Sequence, residues 1–120
     1  MRVHHIALRT ADVPRLEAFY RDLLGLPVTA RPGGSRVWLA AGETLLMLEP
    51  REPDEPTVPA GSMEFLAFAI TPAERTGFVA RLAQAGVTVE AQTDFTLYFR
   101  DPDGRRVGVS HHPDRPPGTP

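Results

Sequence analysis

Cysteine is missing from the 120-residue chain, which excludes a disulfide framework, a thiolate metal site and a cysteine nucleophile. Lysine is missing as well, all thirteen basic residues being arginine, so neither a Schiff-base lysine nor the lysine of a phosphate-binding loop is at hand. No apolar run approaches the roughly 20 residues that cross a bilayer. Thirteen basic against fifteen acidic residues leave a net charge of -2, so the whole-protein basic field that neutralises phosphates is lacking and nucleic acid is excluded as an expected partner. There is also no nucleophile elbow and no glycine-rich phosphate loop. Any resident metal would need histidine, glutamate or aspartate.

What is present describes an ordinary globular chain. Hydrophobic residues at 42% and charged residues at 23% fit neither disorder nor a membrane segment, and we expect a cytoplasmic protein. A chain of this length buries roughly two thirds of its unfolded surface, enough for one domain but not for two large ones.

Val3 to Thr10 alternates and is rich in branched residues, which predicts a strand. A helix should follow, with Asp12 as cap, Pro14 in its first turn, Leu16, Phe19, Tyr20, Leu23 and Leu24 on one face, and Gly25 as its end. Leu26 to Ala30, Arg36 to Ala40 and Thr44 to Leu48 read as short strands. Pro50, Pro53, Pro56 and Pro59 then mark an extended connector, because proline cannot donate to a sheet ladder. Beyond it the order restarts: a strand at Glu64 to Ile70, a helix opened by the Thr71 and Glu74 capping box with Phe78, Val79 and Leu82 as its apolar stripe and Gly86 as its stop, then strands at Val87 to Ala91, Thr96 to Arg100 and Arg106 to Ser110. His5 falls over Phe65, Gly25 over Gly86 and Leu46 over Gly108, so the chain is an internal duplication. Residues 1–112 are expected to form the domain, with module one at about 3–50, a linker at 51–61 and module two at about 62–112. The proline-rich tail at 113–120 is expected to be disordered.

The opening HHIALRTADVPRLEAFYRDLLGLPV and the closing YFRDPDGRRVGV resemble the vicinal oxygen chelate superfamily, which groups glyoxalases, bleomycin-resistance proteins and extradiol dioxygenases. The resemblance implies an α+β fold of two βαβββ modules, whose mixed sheets curl into a half barrel with helices outside and function inside the cup. It also implies a homodimer. It does not specify a reaction, since the superfamily contains isomerases, dioxygenases, thiol transferases and plain binding proteins.

Metal-dependent members are similar in placing ligands on the first and last strand of each module. The matching residues here are His5, Leu46, Phe65 and Gly108, of which only His5 has a donor atom. Stable sites use three or four protein ligands, so we expect no metal and no other cofactor. On strand parity His112 is the best substitute ligand, whereas His4 and Glu49 are expected on the helix side. His5 is then a hydrogen-bonding group or a general base without an identified partner. His111 and His112 are expected at the surface.

The remaining cup is expected to be lined by His5, Ala7, Arg9, Trp38, Leu46, Leu48, Phe65, Ala67, Ala69, Arg106, Gly108 and Ser110, with Tyr98 beside them. Apolar and aromatic surface with two guanidiniums suits a small-molecule site that packs a ring and orients a polar group. The same side chains would equally suit a filled interior or a dimer contact, and Trp38 a packing anchor. The expected function is metal-independent binding of a small aromatic or amphiphilic molecule. The alternative is a metal-dependent lyase, isomerase or dioxygenase with a site rebuilt around His5.

Overall fold

In the computed structural model, which describes residues 1–119, each half of the chain forms its own four-stranded mixed sheet. The chain divides into two compact units, residues 1–58 and 59–120. In unit one, β1 (His5–Thr10) is followed by α1 (Val13–Ala18), β2 (Val28–Ala30), β3 (Val37–Ala41) and β4 (Thr44–Pro50). The sheet order is β1-β4-β3-β2, with β1 parallel to β4 and the other pairs antiparallel. Unit two repeats this plan. Its β5 (Phe65–Ala69), α2 (Arg75–Gln84), β6 (Ala91–Gln92), β7 (Thr96–Arg100) and β8 (Arg106–Ser110) stand in the order β5-β8-β7-β6, with β5 parallel to β8. The α+β architecture of two modules is thus observed, with a parallel pair made possible by the helical crossover.

Local chemistry explains the element ends. Asp12 Oδ1 accepts the Arg15 amide at 3.1 Å, which caps α1. After Ala18 the helix widens into a π turn, closed by the Leu24 amide on the Phe19 carbonyl at 3.2 Å. All five expected stripe residues, Leu16, Phe19, Tyr20, Leu23 and Leu24, are buried. β2 begins later than expected because the Leu26 amide is spent on the Tyr20 carbonyl at 3.0 Å. The same effect shortens β6: the amides of Gly86 and Val87 close the end of α2 on Ala83 and Leu82, so pairing starts only at Ala91. On α2, Phe78 and Leu82 are buried, but Val79 is exposed, correcting the three-residue stripe. Residues four apart share a face, whereas a neighbour is turned by about 100°.

Two charged groups are buried within these units. Glu17 on α1 is held by Arg31, just beyond β2, at 2.6 and 3.0 Å, and by Arg21 one turn along. The Arg31 hydrogen bonds hold its carboxyl below the ordinary glutamate value. Asp101 closes the turn into β8, its Oδ1 accepting the amides of Asp103 and Arg105 at 2.9 and 3.0 Å. At the C-terminal end, Arg115 lies 4.8 Å over the Phe95 ring. Position 120 of the expected tail lies outside the described residues.

Candidate functional site

Register decides which side chains share a sheet face, because paired residues on adjacent strands point the same way. In unit one His5 pairs with Leu45, Ala7 with Met47 and Arg9 with Glu49, while Trp38 of β3 pairs with Met47. His5, Ala7 and Arg9 are exposed, so this is the open face. The opposite face carries Ile6 and Leu8 with Leu46 and Leu48, the last two 1% and 0% exposed. Leu46 and Leu48 therefore belong to the core against α1 rather than to a binding surface, correcting the expected lining. Matching Leu46 to Gly108 sets the duplication one residue out of step here, and a one-residue slip exchanges faces. Ala7 pairs with Met47 as Ala67 pairs with Gly108, so Met47 is the true counterpart of Gly108. Glu49 likewise moves to the open face, 3.6 Å from Arg9 and 3.8 Å from Arg36.

A cleft of about 250 Å³ lies at the Arg9 end of this face, lined by Arg9, Pro32, Gly33, Ser35, Arg36, Pro50 and Glu52. Arg9 is also tied to the Pro50 carbonyl at 3.2 Å. At the other end, His5 Nδ1 stands 2.9 Å from His4 Nδ1, so one ring donates and the other accepts. Trp38 Nε1 is buried and has no hydrogen-bond partner among the described residues.

The open face of unit two carries Phe65, Ala67 and Ala69 on β5, Arg106, Gly108 and Ser110 on β8, and Thr96, Tyr98 and Arg100 on β7. Phe65 and Tyr98 pack with ring centroids 4.6 Å apart. The Arg106 guanidinium lies 4.2 Å over Tyr98 and 5.7 Å from Phe65, and its Nε donates to Glu90 at 2.8 Å. Ser110 accepts from the Thr96 hydroxyl at 2.8 Å. Gly108 lies beneath this cluster. A β-carbon there would collide with the Leu97 carbonyl oxygen and come within 2.9 Å of the Phe65 ring. Glycine is thus required by close approach of backbone and ring, not by a turn.

The ligand positions implied by the resemblance can now be tested as a donor set. His5 has an imidazole, Met47 a thioether, Phe65 no donor and Gly108 no side chain at all. Among the described residues no three histidines, aspartates, glutamates or cysteines are grouped to hold an ion. This set does not fit a resident metal. His112 is exposed and stacks edge-on against Phe95 at 4.9 Å. His111 is not a surface residue: it is 3% exposed, its Nδ1 donates to the Asp114 carbonyl at 2.6 Å and its Nε2 faces Arg75 at 3.3 Å.

Phe65, Tyr98, Arg106, Gly108 and Ser110 share the open face of unit two, and His5, Arg9 and Trp38 that of unit one, as strand parity implies. Parity missed Met47, Glu49, and the role of Glu90 in fixing Arg106. The slip in β4 shows only in the pairing of Ala7 with Met47.

Comparison with known proteins agrees with this geometry. The family model described as the Glyoxalase/Bleomycin resistance protein/Dioxygenase superfamily matches residues 2–109. The chain is 31% identical over 110 residues to the glutathione transferase FosA of Serratia marcescens, covering 88% of this chain and 77% of that protein. A glyoxalase/dioxygenase from Nostoc punctiforme superposes with a TM-score of 0.78 at 24% identity, covering 94% of this chain and 92% of the other. The fosfomycin resistance protein FosX from Listeria monocytogenes also gives 0.78, at 16% identity, with 92% and 90% covered. At those identities the two structures share the fold only.

Proposed function

The chain belongs to the glyoxalase/bleomycin resistance/dioxygenase superfamily, and from that membership we propose that it is a binding protein for a small aromatic or amphiphilic molecule and uses no resident metal. The observation that carries this reading is the Phe65 ring lying against the bare backbone of Gly108. Two positions that the resemblance assigns to metal donors have become one apolar surface, extended by Tyr98 and edged by Arg106. Such a surface gains from covering a ring, by roughly 25 cal/mol for each Å² of apolar area removed from water. Calorimetric titration against a panel of aromatic antibiotics and metabolites tests it. We expect saturable binding by at least one aromatic compound that is weakened by Phe65→Ala. Uniform failure of the panel would remove the reading.

A second reading is favoured by the 31% identity to a protein named as a glutathione transferase. In it the chain is a metal-dependent enzyme, a transferase, lyase, isomerase or dioxygenase, built around His5. Elemental analysis of the purified protein separates the two. Near-stoichiometric zinc, nickel, iron or manganese that disappears in His5→Ala would establish the enzymatic reading, and trace metal unchanged by that substitution supports the binding protein.

A further inference from the structure

The two guanidiniums flanking Glu90 are used differently. Arg100 gives its Nε to Glu90 Oε2 at 3.0 Å and its Nη1 to the carbonyls of Ser62 and Gly104, so it is committed to holding the chain. Arg106 gives only its Nε, to Glu90 Oε1, and its terminal nitrogens have no hydrogen-bond partner among the described residues. Yet its side chain is only 16% exposed and is clamped from one side by Tyr98. One carboxylate shared between two guanidiniums leaves positive charge over. Water reaches its terminal N–H groups, since the one buried side-chain polar atom left without a partner among the described residues is Trp38 Nε1, and an anion that displaces this water gains charge-assisted hydrogen bonds. Glu90 and Tyr98 fix its orientation, so little side-chain freedom remains to be lost on meeting one.

We propose that Arg106 is the anion clamp of a ligand site in unit two, its terminal N–H groups donating to a carboxylate carried by an aromatic ring that lies on Phe65. A carboxylate matches the planar fork of the guanidinium with two parallel, charge-assisted hydrogen bonds. Phe65, 37% exposed and beside the guanidinium, offers the surface for the ring. This rests on the small-aromatic reading above and narrows it to aromatic carboxylates.

The test is isothermal calorimetry on the full chain with 2-naphthoate and its neutral isostere 2-naphthalenemethanol. We expect naphthoate to bind at least about tenfold more tightly than the alcohol, the gap expected of charge-assisted bonds. Arg106→Gln should weaken naphthoate far more than the alcohol, removing the preference between them, and Phe65→Ala should weaken both. Arg106→Lys, which keeps the charge but not the fork, should retain only part of the preference, and it serves as the measurement if Arg106→Gln does not fold. Equal binding of the two compounds by the native chain, or a preference that survives both Arg106 substitutions, overturns this proposal alone. Binding of neither compound overturns this proposal, and failure of the whole aromatic panel as well overturns the reading beneath it.

Discussion

Gly108 shows how much one missing side chain can decide. With no β-carbon, β8 runs so close to the Leu97 carbonyl that Phe65 can close over it. Gly108→Ala would force two paired strands apart, and overpacking of this kind costs about 1–3 kcal/mol. Urea unfolding of Gly108→Ala should show a lower midpoint with an unchanged slope, and Phe65→Ala should not restore it, since the backbone oxygen remains. Full recovery in the double variant would assign the obstacle to the ring instead. Trp38 is the opposite case, a residue with an atom too many. Its Nε1 is buried without an acceptor among the described residues, so Trp38→Phe removes an unsatisfied donor along with some packing area. It should therefore destabilise by less than about 1 kcal/mol, well below the roughly 3–5 kcal/mol of an ordinary buried Trp→Ala change. Chemical denaturation followed by far-ultraviolet circular dichroism reads this without needing the lost fluorophore.

At the scale of elements, strands and helices were legible wherever pattern and punctuation agreed. Asp12 and Pro14 opened α1, Gly25 closed the π turn that continues it, and the stripe from Leu16 to Leu24 named the buried face of the two. β1, β5, β7 and β8 were equally visible, and with them the clustering of Phe65, Tyr98 and Arg106. What could not be read was register. β4 is a run of four apolar residues, Leu45, Leu46, Met47 and Leu48, with no alternation to tell one face from the other. Only pairing with β1 resolves it, and that is a contact between distant segments. The buried Glu17 was illegible for the same reason, since Arg31 lies fourteen residues away on another element. Glu17→Gln should leave Arg21 and Arg31 without their shared anion and cost about 1–3 kcal/mol. A thermal midpoint within error of the native chain would show that the brace contributes nothing.

Across the whole molecule, arginine supplies every basic side chain and carboxylates answer it in several places. Glu17, held first by its hydrogen bonds to Arg31, and Glu90, held by those to Arg100 and Arg106, both have carboxyls below the ordinary value of 4.5. Glu74 is lowered too, chiefly by the Thr71 amide. A carboxyl lowered on folding stabilises fully above its unfolded value, and that contribution is lost as pH falls through the folded one. The thermal midpoint should therefore be nearly level from pH 7 to 5 and fall below about 4.5. Glu17→Gln should flatten that fall. An acid limb of equal steepness in the variant would remove Glu17 from the account.

The parallel pairing of each module's first and last strands also sets a timetable for synthesis. β1 leaves the ribosome before its hydrogen-bonding neighbour β4, so its edge stays unsatisfied until Leu45 to Pro50 has emerged. β5 waits in the same way for β8. Closure by such distant pairing is slow relative to helix formation. A nascent chain halted before Pro50 would thus carry α1 and a β2–β3–β4 ribbon in progress with a strand still waiting to be clasped, and protection of β1 amides would rise abruptly, rather than gradually, as β4 is completed.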